Sequence, residues 1–189
     1  MEDIKYLDLI ERLNRARSEI ERKIFFLAWL NKRLREEGSA VYPVLVGGTA
    51  VEFYTFGGCA SFDIDLVYDT NEKFENILKS SGFSKRGRYW ENKNLDLLLE
   101  CPGSISEKPE KLANIEIEDS FVLLSSIEEI IIDRLNGFVF WDNCNPKSEY
   151  LKQLKMLLSR SGINYEYLEK RAKEEGNINE LNRLIEGLK

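Results

Sequence analysis

Residues 61–68 read Ser61-Phe62-Asp63-Ile64-Asp65-Leu66-Val67-Tyr68. Apolar side chains occupy the even positions and the two aspartates fall on odd ones, the period of a strand with one dry and one polar face. The alternation predicts a strand across the whole segment. Phe62, Ile64 and Leu66 are expected to face a core, with Asp63 and Asp65 side by side on the opposite face. Two carboxylates that close stay ionised at neutral pH when they are solvated or when a cation neutralises them. A hard ion such as Mg²⁺, which prefers carboxylate oxygen and keeps water for a substrate phosphate, suits the pair. Taken alone, an Asp-x-Asp is more often the wet face of a half-exposed strand.

The flanking sequence adds two features. Upstream, Val44-Leu45-Val46 reads as a buried strand running into Gly47-Gly48-Thr49, and Thr49 to Phe56 suits a short helix closed by Gly57-Gly58. A strand–Gly-Gly–helix passage leaves backbone amides at a helix N-terminus, favourable for a phosphate tail, with the Thr49 hydroxyl in reach. Downstream, Asn71 to Ser80 reads as a helix. Two strand candidates follow, Arg86 to Trp90 and Asn94 to Glu100, with Glu91-Asn92-Lys93 as their turn. In the second, Leu95, Leu97 and Leu99 share one face, and Asp96 and Glu100 share the other. A strand paired beside the first brings Asp96 toward Asp63 and Asp65, and three acids can hold two metals about 4 Å apart for in-line phosphoryl displacement. Pro102-Gly103 breaks the chain, and Phe121 to Leu124 reads as a last strand.

Outside this region the pattern is helical. From Met1 to about Glu37, Ile20, Ile24, Leu27 and Leu34 recur at helical offsets. After Ser125, a capping box of Ser126 with Glu129 opens a helix carrying Ile130, Ile131 and Leu135. Further helices are expected over Lys147 to Ser159, Tyr165 to Glu175 and Ile178 to Leu188. The predicted organisation is thus an N-terminal helical segment (1–38), an α+β core with a mixed sheet flanked by helices (39–124), and a C-terminal helical region (125–189).

Composition narrows the chemistry. The 189 residues are 43% hydrophobic and 32% charged, the balance of a folded globular chain. There is no histidine, which removes histidine bases, Ser-His and Cys-His nucleophile pairs and most catalytic zinc sites. Cys59, Cys101 and Cys144 are odd in number and widely spaced, as reduced thiols of a cytoplasmic protein would be. The longest apolar run, Ile24 to Leu30, is far short of a bilayer span, so no membrane partner is expected. A net charge of −6 argues against a broad electrostatic grip on nucleic acid. The sequence contains neither G-x-x-x-x-G-K-[ST] nor G-x-G-x-x-G.

Val46-Gly47-Gly48-Thr49-Ala50 followed by Asp63-Ile64-Asp65-Leu66 resembles the signature of the nucleotidyltransferase superfamily related to DNA polymerase beta. It is most similar to the minimal nucleotidyltransferases, including those of toxin–antitoxin and abortive-infection systems. The resemblance covers about Val41 to Leu124. It implies a magnesium-dependent enzyme, with two ions and Mn²⁺ as a substitute, that moves NMP from an NTP to a hydroxyl on a protein or tRNA. It implies that Gly47 and Gly48 hold the triphosphate, with Thr49 beside them. Asp63 and Asp65 would bind metal, and Asp96 would supply the third carboxylate, with Glu100 on the same face. Arg134 fits the basic residue that a helix carries toward such a site. A cognate partner protein would accompany a toxin–antitoxin role. Two departures stand: the fourteen residues 49–62 are about one more than the usual interval, and many active members place serine second in the glycine pair. The alternative is a catalytically inactive module of the same fold that binds nucleotide or a partner protein.

Three other stretches have plainer readings. Lys85-Arg86-Gly87-Arg88-Tyr89-Trp90 combines cations with rings, as an RNA-stacking surface would, yet an ordinary hairpin with inward rings accounts for it better. Phe138, Phe140 and Trp141 are expected to pack into the core. Glu166 to Glu175 reads as a solvated helix face.

Overall fold

A computed structural model describes residues 4–101 and 111–188, so the expected break at Pro102-Gly103 lies outside the described residues. The helical N-terminal stretch is divided in two, α1 (Ile4–Asn14) and α2 (Glu19–Glu36). The division is a reciprocal cap. Ser18 Oγ accepts the Glu21 N–H at 3.2 Å, and the Glu21 carboxylate accepts the Arg17 N–H at 2.5 Å. One helix therefore ends where the next begins.

The core then runs β1 (Val44–Leu45), α3 (Gly47–Tyr54), β2 (Ile64–Val67), α4 (Glu72–Ser80), β3 (Ser84–Arg86), β4 (Tyr89–Asn92), β5 (Leu97–Glu100), β6 (Leu112–Ile117) and β7 (Ser120–Ser125). The strands form one seven-stranded mixed sheet in the order β3-β4-β5-β2-β1-β7-β6. β2 pairs with β5 and β1 with β7 in parallel, and the remaining neighbours are antiparallel. Helix α2 lies on β7, where Asn31 Nδ2 donates to Phe121 O at 2.9 Å and Ser120 Oγ donates to Ala28 O at 2.7 Å. Phe26, Trp29, Ile64, Leu66, Phe74 and Trp90 form the dry interior.

Two local readings are corrected. The chain reverses at Gly87-Arg88 and again over residues 93–96, not at Glu91-Asn92-Lys93. Asn92 sets the second reversal: its Oδ1 accepts the N–H groups of Asn94 and Leu95, both at 3.1 Å, and its Nδ2 donates to Ser81 O at 2.8 Å. Such an Asx turn lets β4 run to Asn92, two residues past the expected end at Trp90. The lysine–arginine hairpin is otherwise the ordinary one, with Trp90 buried and Lys85 bound to Glu75 at 2.6 Å. Strand β6 has no counterpart in the sequence reading; it joins β7 through a turn at Glu118-Asp119, where Asp119 is pinned by Arg12 at 2.8 Å and Lys32 at 2.7 Å.

The C-terminal region comprises α5 (Ile127–Asn136), a π-helical turn (Gly137–Trp141), α6 (Glu149–Leu158), α7 (Tyr165–Glu174) and α8 (Ile178–Glu186). Ser126 Oγ accepts the Glu129 N–H at 3.4 Å, one half of the expected capping box, while the Ser126 N–H donates to Lys111 O at 2.9 Å. The polar face of α7 is not wholly solvated. Arg171 turns inward to Glu129 at 3.1 Å, and Tyr167 Oη donates to the same carboxylate at 2.5 Å. Among the described residues no helix is long and apolar enough to cross a membrane.

Candidate active site

Strand β2 is shorter than its alternation predicts, and the cause lies in the residues that precede it. A buried ion pair joins Lys23 of α2 to Glu52 of α3 at 2.8 Å. Lys23 Nζ also donates to Ser61 O at 2.5 Å, while Ser61 N donates to Glu52 Oε2 at 3.2 Å. The backbone is gripped at Ser61 and bends before the ladder starts. Phe62 is consequently 82% exposed, contrary to its expected place in the core. Asp63 stands just ahead of the strand, and its carbonyl accepts from the hydroxyls of Thr49 and Ser61.

Asp65 is the inner residue of the site. Its Oδ2 accepts the Gly48 N–H at 2.9 Å, and Val46 N donates to its carbonyl at 3.0 Å. Gly47, at φ +61°, passes so close that a Cβ there would collide with the Asp65 carboxylate. A Cβ on Gly48 would lie 2.6 Å from Ser61 Oγ. The glycine pair thus allows the turn to close over the aspartate.

The third acid is Glu100. The parallel register sets Ile64 beside Leu99 and Asp65 beside Glu100. One carboxylate oxygen each from Asp63, Asp65 and Glu100 lies within 4.8 Å of the others. Asp96 does not join them: it is exposed in the turn before β5 with φ +47° and lines a separate cleft of 360 Å³ with Lys93. Three residues, Leu97 to Leu99, separate it from Glu100 at the far end of β5, which rises roughly 10 Å over its length. Thr49 is also placed differently from its expectation. It is fully buried, and its hydroxyl is spent on Asp63 O rather than offered to a ligand. Ser61, whose hydroxyl donates to the same carbonyl, is the one of the two that lines the cleft.

The three carboxylates open on a cleft of about 910 Å³ between the sheet and the helical region. Burial first, and then the charges of Asp63 and Glu100, push the Asp65 carboxyl up to about 6, against the Gly48 amide and Arg134. Such a cluster fits a hard divalent cation: the donors are all carboxylate oxygen, and a cation would relieve the repulsion. Three basic groups also reach the cleft, among them Arg171 beside Glu129. Arg88 Nε binds Glu100 Oε1 at 3.1 Å from a half-exposed position. Arg134, on α5, lies 3.0 Å from Asp133 Oδ2, with its guanidinium 5.7 Å from the Tyr150 ring centre. Of Phe138, Phe140 and Trp141, all expected in the core, Phe138 alone is there. Phe140 is exposed, and Trp141 is 78% exposed at the rim of the cleft.

No protein-family model matches the sequence, and no curated protein matches it. Among solved structures, the chain is similar to the solution structure of the antibiotic-resistance factor ANT(2'')-Ia, with a TM-score of 0.52 at 17% identity. The likeness covers 97% of this chain and 97% of that one, so it includes the helical regions at both ends. ANT(2'')-Ia is a nucleotidyltransferase. The mixed seven-stranded sheet with its flanking helices is a nucleotidyltransferase-like fold.

Proposed function

We propose that this chain is a divalent-metal-dependent nucleotidyltransferase that moves NMP from an NTP, ATP among them, to a hydroxyl acceptor. The observation that carries the reading is the convergence of Asp63, Asp65 and Glu100 beside the Gly47-Gly48 turn in one cleft. These three carboxylates would hold Mg²⁺, or Mn²⁺ in its place, which when bound would lower the pKa of the acceptor hydroxyl and neutralise charge on the departing pyrophosphate. The acceptor oxygen forms a bond to the α-phosphorus as the bridging bond to the β-phosphate breaks, and pyrophosphate leaves with that electron pair. Glu100 takes the hydroxyl proton. The Gly47-Gly48 turn borders the polyphosphate, and Arg134 supplies positive charge at its flank. Asp96 and Thr49 have no part in the site.

The acceptor is a protein or an RNA, in the cytoplasm, as the motif's resemblance to the toxin–antitoxin enzymes suggests; a cognate partner protein belongs to the same proposal. Incubating the protein with labelled NTPs and cell lysate or total RNA identifies the acceptor. Label on neither class would remove this acceptor assignment.

One observation favours a second reading. Arg88 already pairs with Glu100, and Gly48 with Asp65, so the acids have partners without metal. A module that binds without catalysis would look the same. Titration with a non-hydrolysable ATP analogue, with and without Mg²⁺, separates the two: metal-dependent binding supports the enzyme, and equal affinity in both supports the module.

A further inference from the structure

The wall of the cleft facing the carboxylates is built by the helical region, and its groups follow an order. Arg134 lines the same cleft as Asp65. Its guanidinium lies 5.7 Å from the Tyr150 ring centre, and the Tyr150 ring meets Trp141 edge-on, with centroids 6.3 Å apart at 75°. From the acids outward the cleft therefore presents negative charge, positive charge, a half-buried ring and an open ring.

The open ring is held in place by backbone, so its exposure is not slack. α5 passes into the π-helical turn Gly137–Trp141, a widened turn of the kind that gathers at functional sites. Asp142 N donates to Gly137 O at 3.1 Å and Cys144 N to Phe138 O at 2.9 Å, closing the chain directly behind Trp141. Ser148 Oγ donates to Asp142 Oδ2, fixing the far end of that loop against α6. Gly137 makes room for the second ring. A Cβ there would lie 2.5 Å from Tyr150 Cε1, so any larger residue would drive Tyr150 away from Arg134 and Trp141.

We propose that Trp141, braced by Tyr150, is the stacking platform for the nucleobase of the bound nucleotide. The inference rests on the nucleotide reading above and adds the place of the base. A nucleotide is the ligand whose own order matches the wall: phosphates at the acids and Arg134, a flat ring beyond them. Base–aromatic stacking tolerates every base, because each has a π-face, so the platform predicts weak discrimination among NTPs.

The other two tryptophans, Trp29 and Trp90, are 1% and 0% exposed, which makes Trp141 the fluorophore that a ligand can reach. The test compares a non-hydrolysable ATP analogue with inorganic tripolyphosphate, both with Mg²⁺, by fluorescence and calorimetry. The analogue should quench tryptophan emission in the wild type, and tripolyphosphate should bind without doing so. Trp141→Ala should lose the quench and bind the analogue about tenfold more weakly, with tripolyphosphate affinity unchanged, and Trp141→Phe should recover most of the loss. If the analogue binds with metal but Trp141→Ala leaves both its affinity and its quench intact, the platform is wrong and the nucleotide site stands. If neither ligand binds, the nucleotide site fails and the platform fails with it.

Discussion

At the scale of single residues, the site turns on which carboxylate stands beside Asp65. Asp96 and Glu100 share a parity, so alternation alone admits both. The choice is made by a register that pairs Asp65 with Glu100, and by the Asn92 turn that removes Asp96 from the strand. Neither is visible as a pattern, because register is a contact between distant segments. On the proposed reading, Asp65→Asn and Glu100→Gln each lower transfer by at least about a hundredfold with the fold retained, while Asp96→Asn transfers at the wild-type rate. A rate assay with circular dichroism checks all three, and loss of activity in Asp96→Asn would overturn the assignment of Glu100. A pH effect belongs to the same residue. The folded-state value of about 6 for Asp65 is above that of an unfolded aspartate, ~3.9, so the folded protein holds this proton more tightly. The stability it contributes is full below about pH 4 and is lost as pH rises through about 6, on the order of 3 kcal/mol. Denaturant melts of metal-free protein at pH 4.5 and 7 should show the wild type losing ground to Asp65→Asn, and a constant difference between the two would refute the shift. Binding of a cation must release the same proton, so its affinity should climb through that window.

At the scale of elements, what the sequence displays is what local chemistry controls. The strand–turn–helix from Val44 to Tyr54 forms where the hydrophobic period changes, and the helices opened by Asn71 and Ser126 form where period and cap coincide. The elements that escape the sequence reading depend on tertiary partners. β6 is an edge strand whose pattern makes sense only against β7, and β2 is cut short because Lys23 and Glu52 seize Ser61 from two helices. That ion pair carries a consequence of its own. Glu52→Gln keeps an acceptor for the Ser61 N–H but leaves the Lys23 ammonium buried without its counter-charge. It should cost about 3–5 kcal/mol of folding stability, the range for breaking a buried pair. Lys23→Met/Glu52→Leu, which removes both charges, should recover part of this loss. Urea denaturation of the two variants measures it. A loss below about 1 kcal/mol in Glu52→Gln would mean that the pair does not anchor the loop before Asp63.

At the scale of the whole molecule, the cleft belongs to neither half alone. The sheet supplies the glycine turn and the three acids, whereas the helical region supplies Arg134, Tyr150 and Trp141. The motif that resembles the nucleotidyltransferases spans only the sheet side, but the likeness to ANT(2'')-Ia extends over 97% of both chains, helices included. The two sides meet where Cys59 Sγ lies 3.4 Å from Met156 Sδ, where the Arg160 guanidinium stands 4.1 Å from the Phe56 ring centre, and where the buried Glu128 accepts from Lys111 at 3.1 Å. A ligand that touches both walls should therefore stabilise their mutual placement, and not the sheet alone. At a hundred times its dissociation constant it adds about 2.7 kcal/mol to stability. Hydrogen exchange with Mg²⁺ and a non-hydrolysable ATP analogue should slow at residues 47–50 and 63–67, and equally over residues 134–150. Slowing confined to the first two segments would show a nucleotide lying on the sheet side only, and would leave the helical wall to the acceptor.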